Sequence, residues 1–272
     1  QALRAAFRGD KDVLNNLTGV WHRQDKHNEK LFDFEQNGFI RLHKETPALV
    51  GEPKKYPAMV PGPAADCSVG IAMAHFKSPL QDVVRAAQIA EKRAKKQLGR
   101  SAVAVSLFKR SGETIEWGCQ WESGGLDLYR EFSRALAGDV VSAKFPYRLA
   151  ELLTPYQTET FPLAHDAMKP LAGFPVDDVI IRETEHVLRQ QAVNRVRPEY
   201  QIFFEAVLGR KEAPGLLEKY LQHLAKSPRS VKEPKGEDFC AVVQVKLQSI
   251  IGLCQTVAFA NRTRLEKKGE DK

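Results

Sequence analysis

From Cys67 to Ala74 the chain is apolar and built of small residues, with Pro61, Gly62 and Pro63 before it and Pro79 after it. A run that short between breakers predicts a buried strand rather than a helix. Gly70 inside it predicts a bulge or a close backbone approach. Ser78 stands where an N-cap belongs and Pro79 where a first helical residue belongs. Leu80, Val83, Val84, Ala87, Ala94 and Leu98 then recur at helical spacing and predict one apolar face. Arg85, Lys92, Arg93, Lys95 and Lys96 fill most of the other positions, crowded toward the C-terminal half where they complement the helix dipole. Gly99 is a fitting terminator. Ser101 to Lys109 alternates and is rich in valine, so it predicts a strand. Glu113 to Trp121 predicts its hairpin partner across Arg110, Ser111 and Gly112.

The pattern changes on either side of this β-α-β-β stretch. Residues 2–8 predict the end of a helix, while residues 9–65 show little sustained period and hold Pro47, Pro53, Pro57, Pro61 and Pro63. Phe32–Phe34 and Phe39–Leu42 are candidates there for short strand or helix pieces. A connection this long predicts an insertion or partial disorder. After Ser123-Gly124-Gly125 the 3.6-residue period takes over. Helices are predicted near 126–136, 146–153, 177–194, 198–209, 214–226 and 236–266, punctuated by prolines, with no strand among them. The expected fold class is therefore α+β, an α/β part over 1–122 with an irregular insertion at about 10–65, followed by an all-helical part over 123–272.

Composition adds a charge and removes some classes. A formal charge of +7 and a pI near 9.2 imply attraction to polyanions. The excess gathers in 85–110 and around Arg262, Arg264, Lys267 and Lys268, where a solvated, frayed end is expected. No apolar run approaches the roughly 18 residues of a membrane span. The first residues lack the layout of a signal peptide. They start in helical grammar without Met, which predicts a fragment. Cys67, Cys119, Cys240 and Cys254 form no C-x-x-C pair, so neither a zinc ribbon nor a disulfide framework is expected, and the location expected is cytoplasmic.

Few residues suggest chemistry. The Ser123–Asp127 turn resembles the acid-bearing turn of nucleotide cyclases, but it opens a helix and predicts a cap. His22, His27 and His43 with Cys67 match no common zinc spacing. Asp177 and Asp178 suit a helix start. His75 lies at a strand end beside Lys77 and a helix N-terminus, where anions bind.

Ser68-Val69-Gly70-Ile71-Ala72, then Ala90, Ala94-Lys95 and Gly99-Arg100, resembles the second half of a GGDEF-type cyclase or Palm polymerase domain. One extra residue between Lys95 and Gly99 departs from the ordinary bacterial GGDEF spacing. The strings GIAMAHFKSPL, AEKRAK and LFKRSGE, with KFPYRLAELL beyond the boundary, are similar to one family in particular. It is the large signature subunit of type III CRISPR effector complexes in its Cmr form. The resemblance is strongest over 66–113 and weak over 10–64.

That resemblance implies a partial ferredoxin-like Palm domain followed by a helical domain. It implies an RNA-guided antiviral complex that converts ATP to cyclic oligoadenylate when target RNA is bound, using Mg or Mn. The family holds its metals with a Gly-Gly-Asp-Asp turn, which the resemblance locates upstream of residue 1, so no catalytic residue and no metal ligand is expected in this chain. The implied nucleotide-binding residues are Lys95, as a cation for ATP phosphates, with Arg100 second, then Ser68, Gly70, His75 and Lys77. Implied partners are other subunits of the complex, guide RNA, target RNA and ATP, with no membrane. The helical half is expected to dock subunits and the RNA duplex backbone. Two alternatives stand beside this: a non-catalytic scaffold of the same ribonucleoprotein, and part of a GGDEF-type dinucleotide cyclase.

Overall fold

The computed structural model describes residues 2–8, 10, 32–36, 39–42, 58–59, 61–62, 65–157, 175–210, 213–226 and 237–270. The chain divides into two units, Gln1–Cys67 and Ser68–Lys272. Most of the expected insertion, with His22, His27 and His43, lies outside the described residues.

In the first unit, helix α1 (Ala2–Arg8) is followed by strands β1 (Phe32–Gln36), β2 (Phe39–Leu42) and β3 (Ala58–Met59). The strands form an antiparallel sheet in the order β1-β2-β3, with Phe34 opposite Ile40 and Phe39 opposite Met59. Arg4 grips both carboxylate oxygens of Asp66 at 2.9–3.1 Å, and Arg8 adds a contact at 3.1 Å. Burial alone would raise the Asp66 carboxyl. Hydrogen bonds from Arg4, the Cys67 amide and Arg8 outweigh it and hold the group below its ordinary value.

The second unit begins with the β-α-β-β stretch. Strand β4 (Val69–Met73) leads into helix α2 (Leu80–Lys96), then strand β5 (Ala102–Phe108) and strand β6 (Thr114–Gln120). The sheet order is β4-β5-β6; β4 runs parallel to β5 with Val69 opposite Val103, and β6 runs antiparallel with Val105 opposite Trp117. Among the described residues β4 pairs with β5 alone. Gly112 closes the β5–β6 turn at a φ of 86°, a conformation glycine adopts without penalty.

Two details of α2 differ from the sequence expectation. Pro79 is extended (ψ 126°), so it stands as the N-cap, and Ser78 makes no side-chain cap bond. The buried stripe is Ala86, Ala90 and Ala94, not the larger apolar residues: Leu80 is 76% exposed and Val84 48%. Gly70 explains the choice. A Cβ there would lie 2.2 Å from the Glu91 amide nitrogen and 2.3 Å from the Ala87 carbonyl oxygen. The helix backbone rests on the strand, and at that distance only alanines fit between them. The close approach expected at Gly70 is thus to α2.

Helices follow: α3 (Gly125–Ala137), α4 (Phe145–Leu153), α5 (Val176–Gln191), α6 (Pro198–Leu208), α7 (Leu216–Lys226) and α8 (Glu237–Glu270). A two-residue hairpin, Gly209–Arg210 with Ala213–Pro214, interrupts them where no strand was expected. Ser123 opens α3: its Oγ donates to the Gln120 carbonyl at 2.7 Å and accepts from the Gly125 amide at 3.2 Å. The α8 backbone stays helical to Glu270, further than the frayed end expected.

The change of pattern near residue 123 is not a break in the core. Val103, Val105 and Leu107 of β5, with Ile115, Trp117 and Cys119 of β6, share one apolar cluster with Leu128, Phe132, Phe145, Leu188, Tyr220 and Leu253. Within α8, Val242–Asn261 is long and apolar enough to cross a membrane by length and composition. Here Ile250, Leu253, Cys254 and Val257 of that stretch are buried in the shared core, and Gly252 sits against the β6 backbone. Lys246 is the one charged residue among the buried side chains described, and Asp177 at the start of α5 accepts its Nζ at 2.6 and 2.8 Å.

Candidate functional site

The six residues marked by the resemblance do not converge on one place. They divide between the two ends of the β4-α2-β5 unit, and the 17-residue helix between those ends spans about 25 Å.

The first end holds Ser68, Lys95 and Arg100. Because β4 and β5 are parallel and in register from Val69 and Val103, the residues just before each strand lie at the same margin of the sheet. Ser68 and Arg100–Ser101 are those residues. The α2 row is fixed by its contact with Gly70: Ala87 and Glu91 meet β4 there, and Lys95 is one turn further along that row. That step carries Lys95 from Gly70 toward Ser68. Its Nζ pairs with Glu91, and the side chain is 53% exposed. The turn after α2 is unusual. Gly99, Arg100 and Ser101 all have positive φ (78°, 69° and 46°), and the Arg100 amide donates to the Ala94 carbonyl at 3.1 Å. A left-handed arginine and serine cost on the order of 1 kcal/mol or more each. Arg100 is exposed, and its guanidinium has no partner among the described residues.

The donor set at this end is cationic and hydroxylic. It suits phosphate oxygens. It does not suit Mg or Mn, which want carboxylates; the Glu91 carboxylate on α2 is engaged by Lys95. No group of three or more metal-ligating side chains occurs among the described residues.

The second end holds His75 and Lys77, between β4 and α2. His75 Nε2 lies 2.7 Å from Nη2 of Arg110, and its Nδ1 lies 3.3 Å from the Lys77 amide. The His75 ring stacks at a tilt on Phe76, and Lys77 stands 5.7 Å over that same ring. Arg110, on the β5–β6 turn, was not singled out from the sequence; a cation in a hairpin turn carries no signal of its own.

Thiol chemistry finds no footing in the core. Burial pushes the Cys119 thiol up to about 12 against an opposing hydrogen bond from Ser123, and burial raises Cys254 as well. Arg93 also proves structural: it donates to the Val105 carbonyl at 2.6 Å and pairs with Glu116, tying α2 across β5 to β6.

Comparison with protein-family models, curated proteins and solved structures finds no match to this chain.

Proposed function

We propose that this chain supplies part of an ATP-binding, Palm-like cradle in the large subunit of a type III CRISPR RNA-guided effector complex, the intact assembly making cyclic oligoadenylate when target RNA binds. The observation that carries the reading is the α2 row through Ala87 and Glu91, which runs on to Lys95 in the direction of the Ser68 end of β4, with Arg100 held in a left-handed turn at the same margin. Lys95 would balance phosphate charge, Arg100 would bind it in a fork, and Ser68 would donate a hydrogen bond. Gly70 serves this arrangement indirectly by letting α2 settle onto β4. Divalent cations supply the Lewis acid in such chemistry. The residues gathered here are no ligands for them, so their role ends at holding and orienting the triphosphate. Among the described residues β4 pairs on one side alone, which supports a cradle with room for a further strand alongside Lys95.

The test is ATP binding and turnover in the assembled complex with guide and cognate target RNA. Lys95→Ala should weaken ATP binding by roughly tenfold, the loss of one charge-assisted contact. A Lys95→Ala complex that binds ATP and forms product like the parent ends the reading.

A second reading is a non-catalytic scaffold in the same ribonucleoprotein. The Glu91–Lys95 ion pair favours it, because a lysine already neutralised by its own helix offers less to a phosphate. Glu91→Gln separates the two: it tightens ATP binding if Lys95 is a ligand and changes nothing if the chain is only a scaffold.

A further inference from the structure

A cavity of about 760 Å³ opens at the second end of the β4-α2-β5 unit, walled by the chain after β4, the β5–β6 turn, α4 and α8. Its floor is apolar, formed by Phe108, Ile115, Ala150 and Phe259. Its rim carries His75, Lys109, Arg110 and Ser111 on one side and the Tyr147 ring, 54% exposed, on another. The volume falls within the ordinary range for small-molecule sites.

The hydrogen bonding at the rim is lopsided. Arginine has only donors, so Arg110 donates toward His75 Nε2, and the Lys77 amide donates toward Nδ1 at 3.3 Å. A neutral imidazole has one acceptor nitrogen, so two donors compete for it. Arg110 has no carboxylate partner among the described residues; its one contact is the imidazole. Lys109 pairs with Glu113 at 2.9 Å, and the Glu151 carboxylate on the far wall is taken by Arg148 at 2.9 Å. Donors therefore outnumber free acceptors, which is the imbalance an anion completes. A guanidinium prefers phosphate, bound through two parallel N–H bonds, to a neutral ring nitrogen. A bare phosphate would leave the apolar floor and the Tyr147 ring uncovered, whereas a planar base fills both.

We propose that this cavity binds a nucleoside phosphate, its phosphate on Arg110, Ser111 and His75 and its base against Tyr147. The site is separate from the Lys95 end and stands whether or not that end takes ATP. A free nucleotide and the end of a single-stranded RNA present the same chemistry.

The experiment titrates the full chain in EDTA with a fluorescent ATP analogue and with a labelled single-stranded hexa-adenylate. Binding of both, with mutual competition, means the shared chemistry suffices; binding of one alone names the source. Arg110→Ala should raise Kd by about tenfold, and Tyr147→Ala by about three- to tenfold. Lys95→Ala and Arg100→Ala should each change it less than about twofold. If Arg110→Ala melts earlier than the parent, Ser111→Asp decides instead: a carboxylate placed in the exposed turn must abolish binding. Binding of neither probe, or an unchanged Kd in both Arg110→Ala and Ser111→Asp, overturns the proposal. A loss confined to Lys95→Ala overturns it too, and would leave the reading of the Lys95 end intact.

Discussion

The two faces of the β4-β5-β6 sheet are packed on opposite plans. Toward α2 they present Gly70, which meets the backbone of Ala87 and Glu91, and Ala102, Ala104 and Gly118, which pack with Ala90, Ala94 and Leu98. Toward the other helices they present Val103, Val105, Leu107, Ile115 and Trp117, which meet Leu128, Phe132 and Ile251 in a deep core. Strand alternation sends successive residues to opposite faces, so small and large residues interleave along β5. One face sets the position of a helix through backbone contact, and the other supplies most of the buried apolar area. Precision and stability thus come from different sides of the same three strands.

Substitution can break this contrast. Gly70→Val should cost the most, above about 5 kcal/mol and enough to prevent folding, because the new atoms meet the backbone of α2 and no side chain can move aside. A cooperative melt close to that of the parent would show that α2 does not rest on β4. On the other side Phe132→Ala should cost about 3–5 kcal/mol by denaturant unfolding, since Phe132 is fully buried against Phe145 and Phe203. Ala90→Leu should cost about 1–3 kcal/mol by overpacking, where the same added volume on the large-residue face would find more room to adjust. Glu91→Gln should cost the least, under about 0.5 kcal/mol, since its pair with Lys95 is solvent-facing. Thiol labelling sharpens the comparison further. Cys119 and Cys254 should stay unmodified in the native protein at pH 8 while the half-buried Cys67 reacts.

Element positions were legible because breakers bracket them. Pro79, Gly99, Gly112 and Gly124 stand within three residues of real boundaries, and the six later helices fall close to their predicted spans. The face on which α2 packs was not legible. Leu80 and Val84 outrank alanine in hydrophobicity, and only the approach at Gly70 reverses that order. The division of the candidate residues was within reach. Ser78 and Lys95 flank a predicted helix 17 residues apart, and that length alone separates His75 from Lys95. Three pairings were out of reach, because each joins residues distant in sequence that only the tertiary fold brings together. Arg110 meets His75, Lys246 meets Asp177, and Gln120 Oε1 accepts from His223 Nε2 at 2.5 Å across 103 positions. A buried lysine on an apolar helix signals that some acid faces it, but gives no hint of which one.

Among the described residues the outer margin of β4 is unpaired, and that carries a liability as well as an opening. A bare strand edge templates the addition of any extended segment, including the same strand from another copy. The exposed Met73 and Val84 beside it would favour such growth. Concentrated solutions of the isolated chain should therefore turn turbid, and Met73→Lys, a charge placed on the exposed side chain of that strand, should keep them clear.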